Sequence, residues 1–318
     1  MKKLFALAAI PAMILATAAS ANSWEATSTL SRATADLQRI GDADGSAQLD
    51  VVIGLKLRNK AELDQYVARQ ADPNDMMFRQ SLSSDFVHQE FDPAEADIAA
   101  VKQHLASHGC TNIEAAGLLV TASCSIDNAR EAFNTDFALF SKNGVMGYAN
   151  TKPASVPSEL HGIVESVLGL EQFNVAHTMI AHADAQSEAA SSGFSPAAFP
   201  TAYGATTSTS KGTSTVIGII TSGTMTTIES NLSTFESKNK ITAVPVKVEG
   251  AGSSGRMPAG SADEWDLDSQ DIVGMSGGVK QLIFYSSKGL TDSGLTADYN
   301  LVVSDNTAKG INVSLGEC

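Results

Sequence analysis

Ser261-Ala-Asp-Glu-Trp-Asp-Leu-Asp-Ser-Gln-Asp-Ile-Val-Gly274 decides how the rest of the chain is read. As a helix, this stretch stacks Glu264 over Asp268, four residues on, along one face. Two carboxylates that close do not both ionise cheaply, so one keeps its proton to higher pH. An ordinary acid then becomes a general acid or base suited to low pH. A purely structural reading fits the same residues. Acidic side chains favour a helix's first turn, and Ser261 with Glu264 matches a capping box. On spacing alone the structural reading is the commoner one.

Other chemistries can be weighed from the residues. Asp263, Asp266, Asp268 and Asp271 invite a calcium loop, yet the turn glycine and closing glutamate of that pattern are missing. Gly250-Ala-Gly-Ser-Ser-Gly255 is followed by no Gly-Lys-Ser/Thr, so it reads as a flexible loop, not a phosphate cradle. All six histidines (His88, His104, His108, His161, His177, His182) precede the segment that carries Glu264, which removes a Ser-His-Asp arrangement from it. Only Cys318 lies in that segment, so a Cys-His pair fails too. His104 and His108 have a metal-binding spacing but no third ligand nearby, and a helix C-terminus favours histidine in any case. Trp265 reads as a core residue rather than a pocket wall.

Working outward, strands and helices alternate. Thr215–Thr221 and Gln281–Tyr285 are apolar runs expected to be buried on both faces. Val244–Val248 contains Pro245, which places it at an edge or at its own start. Helices are expected over Ile228–Lys238 and Leu295–Val303, and a strand over Ile311–Leu315. This is an α/β domain with a parallel sheet, and it looks unfinished because it stops just after a strand.

The preceding region has a different grain. Leu49–Leu57 and Leu118–Cys124 read as strands, and Phe137–Phe140 with Val145–Tyr148 as a hairpin. Helices are expected over Ala61–Ala71, from an Asp92-Pro93 cap to Gly109, over Ala129–Phe133, and over Pro157–Leu168 closed by Gly169. Such a mixture is an α+β domain. Cys110 and Cys124 lie close enough in sequence to pair across neighbouring strands. Between the two regions, residues 181–195 are small, polar and aperiodic, which is linker composition. Met1–Ala21 has a charged start, an apolar run and an Ala-Ser-Ala cleavage site, the pattern of an export signal. Its run is too short for a spanning helix, and export permits disulfides. With 318 residues and 43% hydrophobic content, two cores are feasible; a formal charge of −14 disfavours nucleic acid as a partner, and with no later stretch like the export signal no membrane partner is expected.

Three features together resemble the sedolisin (serine-carboxyl peptidase) family, the pseudomonalisin type in particular. Glu264-Trp-Asp-Leu-Asp268-Ser-Gln-Asp-Ile-Val-Gly is similar to that family's Glu-x-x-x-Asp helix. Phe86–Pro93, His104–Gly109, Ala132–Thr135, Val156–Leu160 and Val167–Leu170 resemble the pro-kumamolisin activation domain. Ala308–Gly316 resembles the strand that follows the catalytic helix.

The resemblance implies a subtilisin-like fold, preceded by an α+β (ferredoxin-like) prodomain, that performs acid proteolysis without histidine. Glu264 would be the general base toward a serine, Asp268 would orient and tune it, and a further protonated aspartate would serve the oxyanion. The family's Gly-Thr-Ser nucleophile motif and its Ser-Gly-Asp motif are both missing, and Gly212-Thr-Ser214 matches the first only superficially. Gly212-Thr-Ser214 precedes the first strand, so Ser214 is rejected as nucleophile. The resemblance therefore puts the serine, the oxyanion aspartate and a calcium site beyond residue 318, and Cys318 would await a downstream cysteine.

The expected organisation is a signal peptide at 1–21, an activation prodomain at 22–180, a processing linker at 181–195, and an incomplete peptidase domain at 196–318. Gln186, Ser187, Ser192 and Gly193 are the candidate processing residues. The expected protein is a secreted monomer, extracellular or periplasmic, acting on proteins or peptides, with its own prodomain as inhibitor. This 318-residue chain alone is expected to be inactive. The alternative is an inactive remnant whose prodomain binds a peptidase.

Overall fold

The computed structural model describes residues 23–32, 35–179, 196–205 and 211–316. The expected signal, the linker with Gln186, Ser187, Ser192 and Gly193, and Cys318 lie outside the described residues. The first unit opens with β1 (Trp24–Ala26), β2 (Gln38–Asp42) and the long β3 (Gln48–Leu55). Helices α1 (Lys60–Ala71), α2 (Ser84–Phe91) and α3 (Glu95–Ser107) follow, then β4 (Thr111–Ala116), β5 (Leu119–Ser125) and α4 (Ile126–Phe133). The unit continues through β6 (Phe137–Lys142), β7 (Val145–Asn150), β8 (Ser155–Pro157), the single-turn α5 (Ser158–His161), β9 (Val164–Leu168) and β10 (His177–Thr178).

Leu49, Val51, Ile53 and Leu55 alternate along β3 and all point inward, which fixes the register of a four-stranded antiparallel sheet in the order β4-β5-β3-β9. Val101 and Leu105 of α3, with Ile126 and Phe133 of α4, cover that face in a single core. The Cys110 and Cys124 sulfurs are bonded at 2.05 Å, joining the approach to β4 to the strand β5 beside it.

The second unit carries α6 (Phe199–Ala202), β11 (Val216–Ser222), α7 (Thr226–Asn239), β12 (Val246–Glu249), α8 (Ser261–Ser276), β13 (Gln281–Ser287), α9 (Asp292–Asp305), β14 (Gly310–Asn312) and β15 (Leu315–Gly316). Four parallel strands run in the order β12-β13-β11-β14. Ile219, Leu282 and Phe284 face Ile228 and Leu232 of α7 and Trp265 of α8. On the opposite face Ile220, Ile283 and Tyr285 meet Leu295, Leu301 and Val302 of α9. The sheet is thus covered on both sides, the arrangement that accounts for its continuous apolar strands. Pro245 immediately precedes the edge strand β12, where no ladder donor is lost. Among the described residues, no helix is long and apolar enough to cross a membrane.

Several expectations need correction. The helix expected from Asp92-Pro93 starts later, at Glu95, with Ala94 as its cap residue. Asp92 instead closes α2, a helix that no local pattern announced, and its carboxylate sits 2.8 Å from His88 Nδ1. Proline at 93 disfavours helical backbone at Asp92, which holds ψ at 153°. Pro157–Leu168 is not one helix: β8 ends at Pro157, α5 makes a single turn, and Val164–Leu168 forms β9. Pairing with Val52–Leu55 of β3 decides that segment. Gly169, at φ +85°, does follow it; a Cβ there would lie 2.2 Å from Asp50 O.

The Ser261/Glu264 capping box is absent. Gly260 precedes α8 in the left-handed region, no side chain caps the helix, and Glu264 is drawn inward instead. Residues 251–254 form a 3₁₀ turn with Gly252 buried, not a loose loop. The last expected strand is divided: β14 extends the parallel sheet, and β15 leaves it to pair antiparallel with β10.

Candidate active site

Helix α8 places the acidic residues by its own periodicity. Glu264 is 5% exposed and Trp265 fully buried, while Leu267 faces outward. Glu264 Oε2 and Asp268 Oδ2 are both enclosed without a hydrogen-bond partner. The other oxygen of Asp268 accepts a 2.8 Å hydrogen bond from Ser314 Oγ. Asn312 Nδ2 donates to the same Ser314 hydroxyl at 3.2 Å. Burial pushes the Asp268 carboxyl above its ordinary value; Ser314 pulls it back, and the Glu264 charge adds a further upward push. The like-charge effect argued from the spacing is therefore present, but enclosure outranks it.

The neighbouring acids are differently employed. Asp266 accepts a 2.6 Å bond from Asn231 Nδ2 on α7, and burial raises its carboxyl while that bond opposes the rise. Asp271 is raised by burial alone. Among the described residues no group of three or more His, Cys, Asp or Glu side chains is arranged to hold a metal ion. The aspartates of α8 form no such group, and the calcium site implied by the resemblance is expected beyond residue 318. His104 and His108 are taken up structurally: His104 Nε2 lies 2.8 Å from Ala132 O, and His108 Nδ1 lies 2.8 Å from His104 O.

Ser214 sits far from Glu264. Its turn, Gly212–Ser214, lies against Ser276 and Gly278 at the end of α8. The helix between Glu264 and Ser276 spans about 18 Å at about 1.5 Å per residue.

The two units meet through β10 with β15 and through helix α9. His177 and Thr178 of β10 pair antiparallel with Gly316 and Leu315 of β15, next to Ser314. The same segment is held by an Ala176 N–H bond of 2.8 Å to Leu290 O. Farther along α9, Asn300 Oδ1 accepts from Leu118 N and its Nδ2 donates to Ala116 O, both at 3.0 Å. The hairpin tip between β4 and β5 is thereby read as backbone. A cavity of about 1090 Å³ lies between the units, with Asp50, Glu114, Glu171, Lys288 and Asp298 in its wall. Asp298 is 1% exposed, and burial pushes its carboxyl up to about 7 against opposing hydrogen bonds from Ser287.

The sequence points to Glu264 and Asp268 but assigns no role to Asn312, Ser314, Asn231, Asn300 or Asp298. Ser314 is 46 residues from Asp268 and Asn300 is 182 from Leu118. No local pattern encodes such contacts. Asp298, one acid in a helix of mixed character, gives no signal either.

An antiparallel α+β unit thus reaches a parallel α/β unit through its last strand, near the enclosed carboxylates of Glu264 and Asp268. Residues 35–173 match the Pro-kumamolisin activation domain family. The chain is 38% identical to xanthomonalisin of Xanthomonas sp. (strain T-22), over 94% of this chain and 40% of that protein. It is 40% identical to sedolisin of Pseudomonas sp. (strain 101), over 84% of this chain and 48% of that protein. The chain thus spans less than half the length of these curated relatives. A solved structure of Pseudomonas sedolisin, a serine-carboxyl proteinase complexed with two molecules of pseudo-iodotyrostatin, matches 39% of this chain and 35% of that chain. The identity there is 41% and the TM-score 0.36. The chain is thus similar to serine-carboxyl peptidases of the sedolisin type, and its first unit matches the pro-kumamolisin activation domain.

Proposed function

We propose that this chain carries the acid-pair portion of a secreted, acid-acting serine-carboxyl endopeptidase, held inactive by its own activation unit. The β10–β15 pairing carries this reading. It lays the segment just before the linker, antiparallel, on a strand beside Ser314, whose hydroxyl holds Asp268. An extended peptide bound that way has its backbone fixed by the edge strand, as in β-strand addition. The activation unit then occupies the position a protein substrate needs, and cleavage within 181–195, around Gln186, Ser187, Ser192 and Gly193, frees it.

In the proposed reaction a serine supplied from outside these 318 residues attacks the peptide carbonyl. Glu264 accepts its proton, and Asp268, which takes up a proton more readily than an ordinary aspartate, orients Glu264 and helps return the proton toward the leaving amine. A further aspartate outside the chain donates to the oxyanion. A histidine base would be charged in the same acid range, roughly pH 3–5, and would not serve. The two units are read as ferredoxin-like and subtilisin-like respectively.

The test uses the polypeptide secreted by the source organism, mapped by peptide mass for sequence beyond Cys318, and assayed on a denatured protein at about pH 4 and about pH 7, on either side of the carboxyl range. Hydrolysis in acid that is lost in Glu264→Ala and in Asp268→Ala, with none from the 318-residue chain, is the expected result. Turnover that survives Glu264→Ala would refute the assignment.

A further inference from the structure

We infer that Ser314, backed by Asn312, is a positioning residue that ties Asp268 to the occupancy of the Leu315–Gly316 strand. The inference rests on the acid-pair reading above and adds a partner that the pair requires. Asp268 has one oxygen enclosed and unpartnered, and its other oxygen is held by the Ser314 hydroxyl. The Ser314 hydroxyl fixes the orientation of that carboxylate, and losing it leaves the side chain freer to turn.

Ser314 is itself fixed from two directions. Asn312 Nδ2 donates to its hydroxyl from the end of β14, which is locked into the parallel sheet opposite Ile219. On its other side the chain enters β15, whose Leu315 and Gly316 are paired with Thr178 and His177. Ser314 therefore occupies the joint between a permanent strand and a strand whose partner is exchangeable. Without a partner, the short β15 has no ladder to hold it, and isolated short strands have little stability of their own. Whatever peptide pairs with β15, whether the activation segment or a substrate, sets the hydroxyl that holds Asp268.

The electrostatic surroundings favour this as the controlling contact. The titratable groups acting on Asp268 are Glu264 and Asp271, both on α8 itself and both acidic. The strands bring Ser314 and Asn312, which are uncharged and favour the ionised form by hydrogen bonding. The facing helix α7 turns Asn231 to Asp266, not to Asp268, and β10 brings His177, exposed at its pairing with Gly316. Among the groups acting on Asp268, hydrogen bonds from Ser314 and Asn312 are the ones opposing its enclosure.

The experiment follows the Asp268 side-chain carboxyl carbon by NMR through a pH titration of the 318-residue chain, with the resonance assigned by its loss in Asp268→Asn. Ser314→Ala is expected to tighten proton binding by Asp268 about tenfold, an upward shift of about one pH unit. Ser314→Thr, which restores a hydroxyl, is expected to titrate as the unmodified chain does. Asn312→Ala, a second variant should Ser314→Ala fail to fold, is expected to shift the midpoint in the same direction. Thr178→Pro, which disturbs the β10–β15 ladder without touching Asp268, should move it upward as well. An Asp268 titration unchanged in Ser314→Ala and Asn312→Ala would overturn the positioning role. One that moves in those variants but not in Thr178→Pro would overturn the link to strand occupancy. These readouts require no turnover, so a chain that shows the shifts while Glu264→Ala leaves peptide hydrolysis intact would sink the catalytic reading and leave this one standing.

Discussion

Asp298→Asn is expected to stabilise the folded chain at mildly alkaline pH and to have little or the opposite effect in acid. Asp298 lies on α9 at the boundary of the two units, 1% exposed, with Oδ2 enclosed and without a hydrogen bond. Burial, the largest cause, raises its carboxyl from 3.8 to about 7, while the Ser287 hydroxyl and backbone N–H act in the opposite direction. The folded chain therefore holds this proton more tightly than the unfolded chain does. Below pH 3.8 both states are protonated and the group costs nothing. As pH rises toward about 7 the unfolded chain ionises first, and stability is lost. Above that, the loss is complete and amounts to about 4 kcal/mol, taking about 1.4 kcal/mol per pH unit. An asparagine does not ionise, so it avoids that loss, although its amide nitrogen replaces an oxygen with no partner and costs about 1–3 kcal/mol at every pH. The deciding quantity is the difference between variant and parent as a function of pH. Denaturant unfolding of both chains at about pH 4, 6 and 8 measures it, and the difference should swing by several kcal/mol in favour of the variant. A difference that stays constant across that range would show that Asp298 is not a buried carboxyl of raised proton affinity.

Asn300→Ala should release the hairpin tip between β4 and β5. It deletes both bonds to the Leu118 N–H and the Ala116 carbonyl, and hydrogen exchange at the Leu118 amide should rise at least about tenfold, given about 1 kcal/mol for each bond. Gly117→Ala should do the same from the other side, since φ is +54° and a Cβ would lie 2.6 Å from Asn300 Oδ1. The Ile219 amide in the central strand serves as the control, and a Leu118 amide unmoved in both variants would contradict the contact. Replacing Cys110 and Cys124 together by serine should lower stability by about 3 kcal/mol, the chain-entropy value for a loop of this length. A melting temperature equal to that of the parent, under non-reducing conditions, would oppose the pairing.

The parallel sheet is legible in the sequence because its strands are buried on both faces. An apolar run such as Val216–Ser222, short and bounded by polar residues, suits a central strand better than a helix. Helix α8 is legible too, and with it the facing of Glu264 and the burial of Trp265. Val164–Leu168 is not, because Val164, Val167 and Leu168 satisfy a helical period as well as a strand in contact with β3. The unannounced α2 is held by Phe86 and Phe91, packed edge-to-face with Tyr66 from α1, a tertiary cluster without a local signature.

The acid pair marks the same boundary at the level of chemistry. Spacing along α8 is enough to bring Glu264 and Asp268 to one side of a helix, and it implies that a shared charge perturbs them. In the folded chain, enclosure is the largest influence on Asp268, and the strongest counterweight is a hydroxyl 46 residues away in sequence. Neither belongs to the helix. An i, i+4 pair of acids on an open surface would keep nearly ordinary carboxyls, because water screens them. What distinguishes this pair from an ordinary acidic first turn is the sheet beneath it and the strand end beside it. The same strand end pairs with β10, so the residue that holds the Asp268 carboxylate and those that pair with β10 are neighbours in the chain.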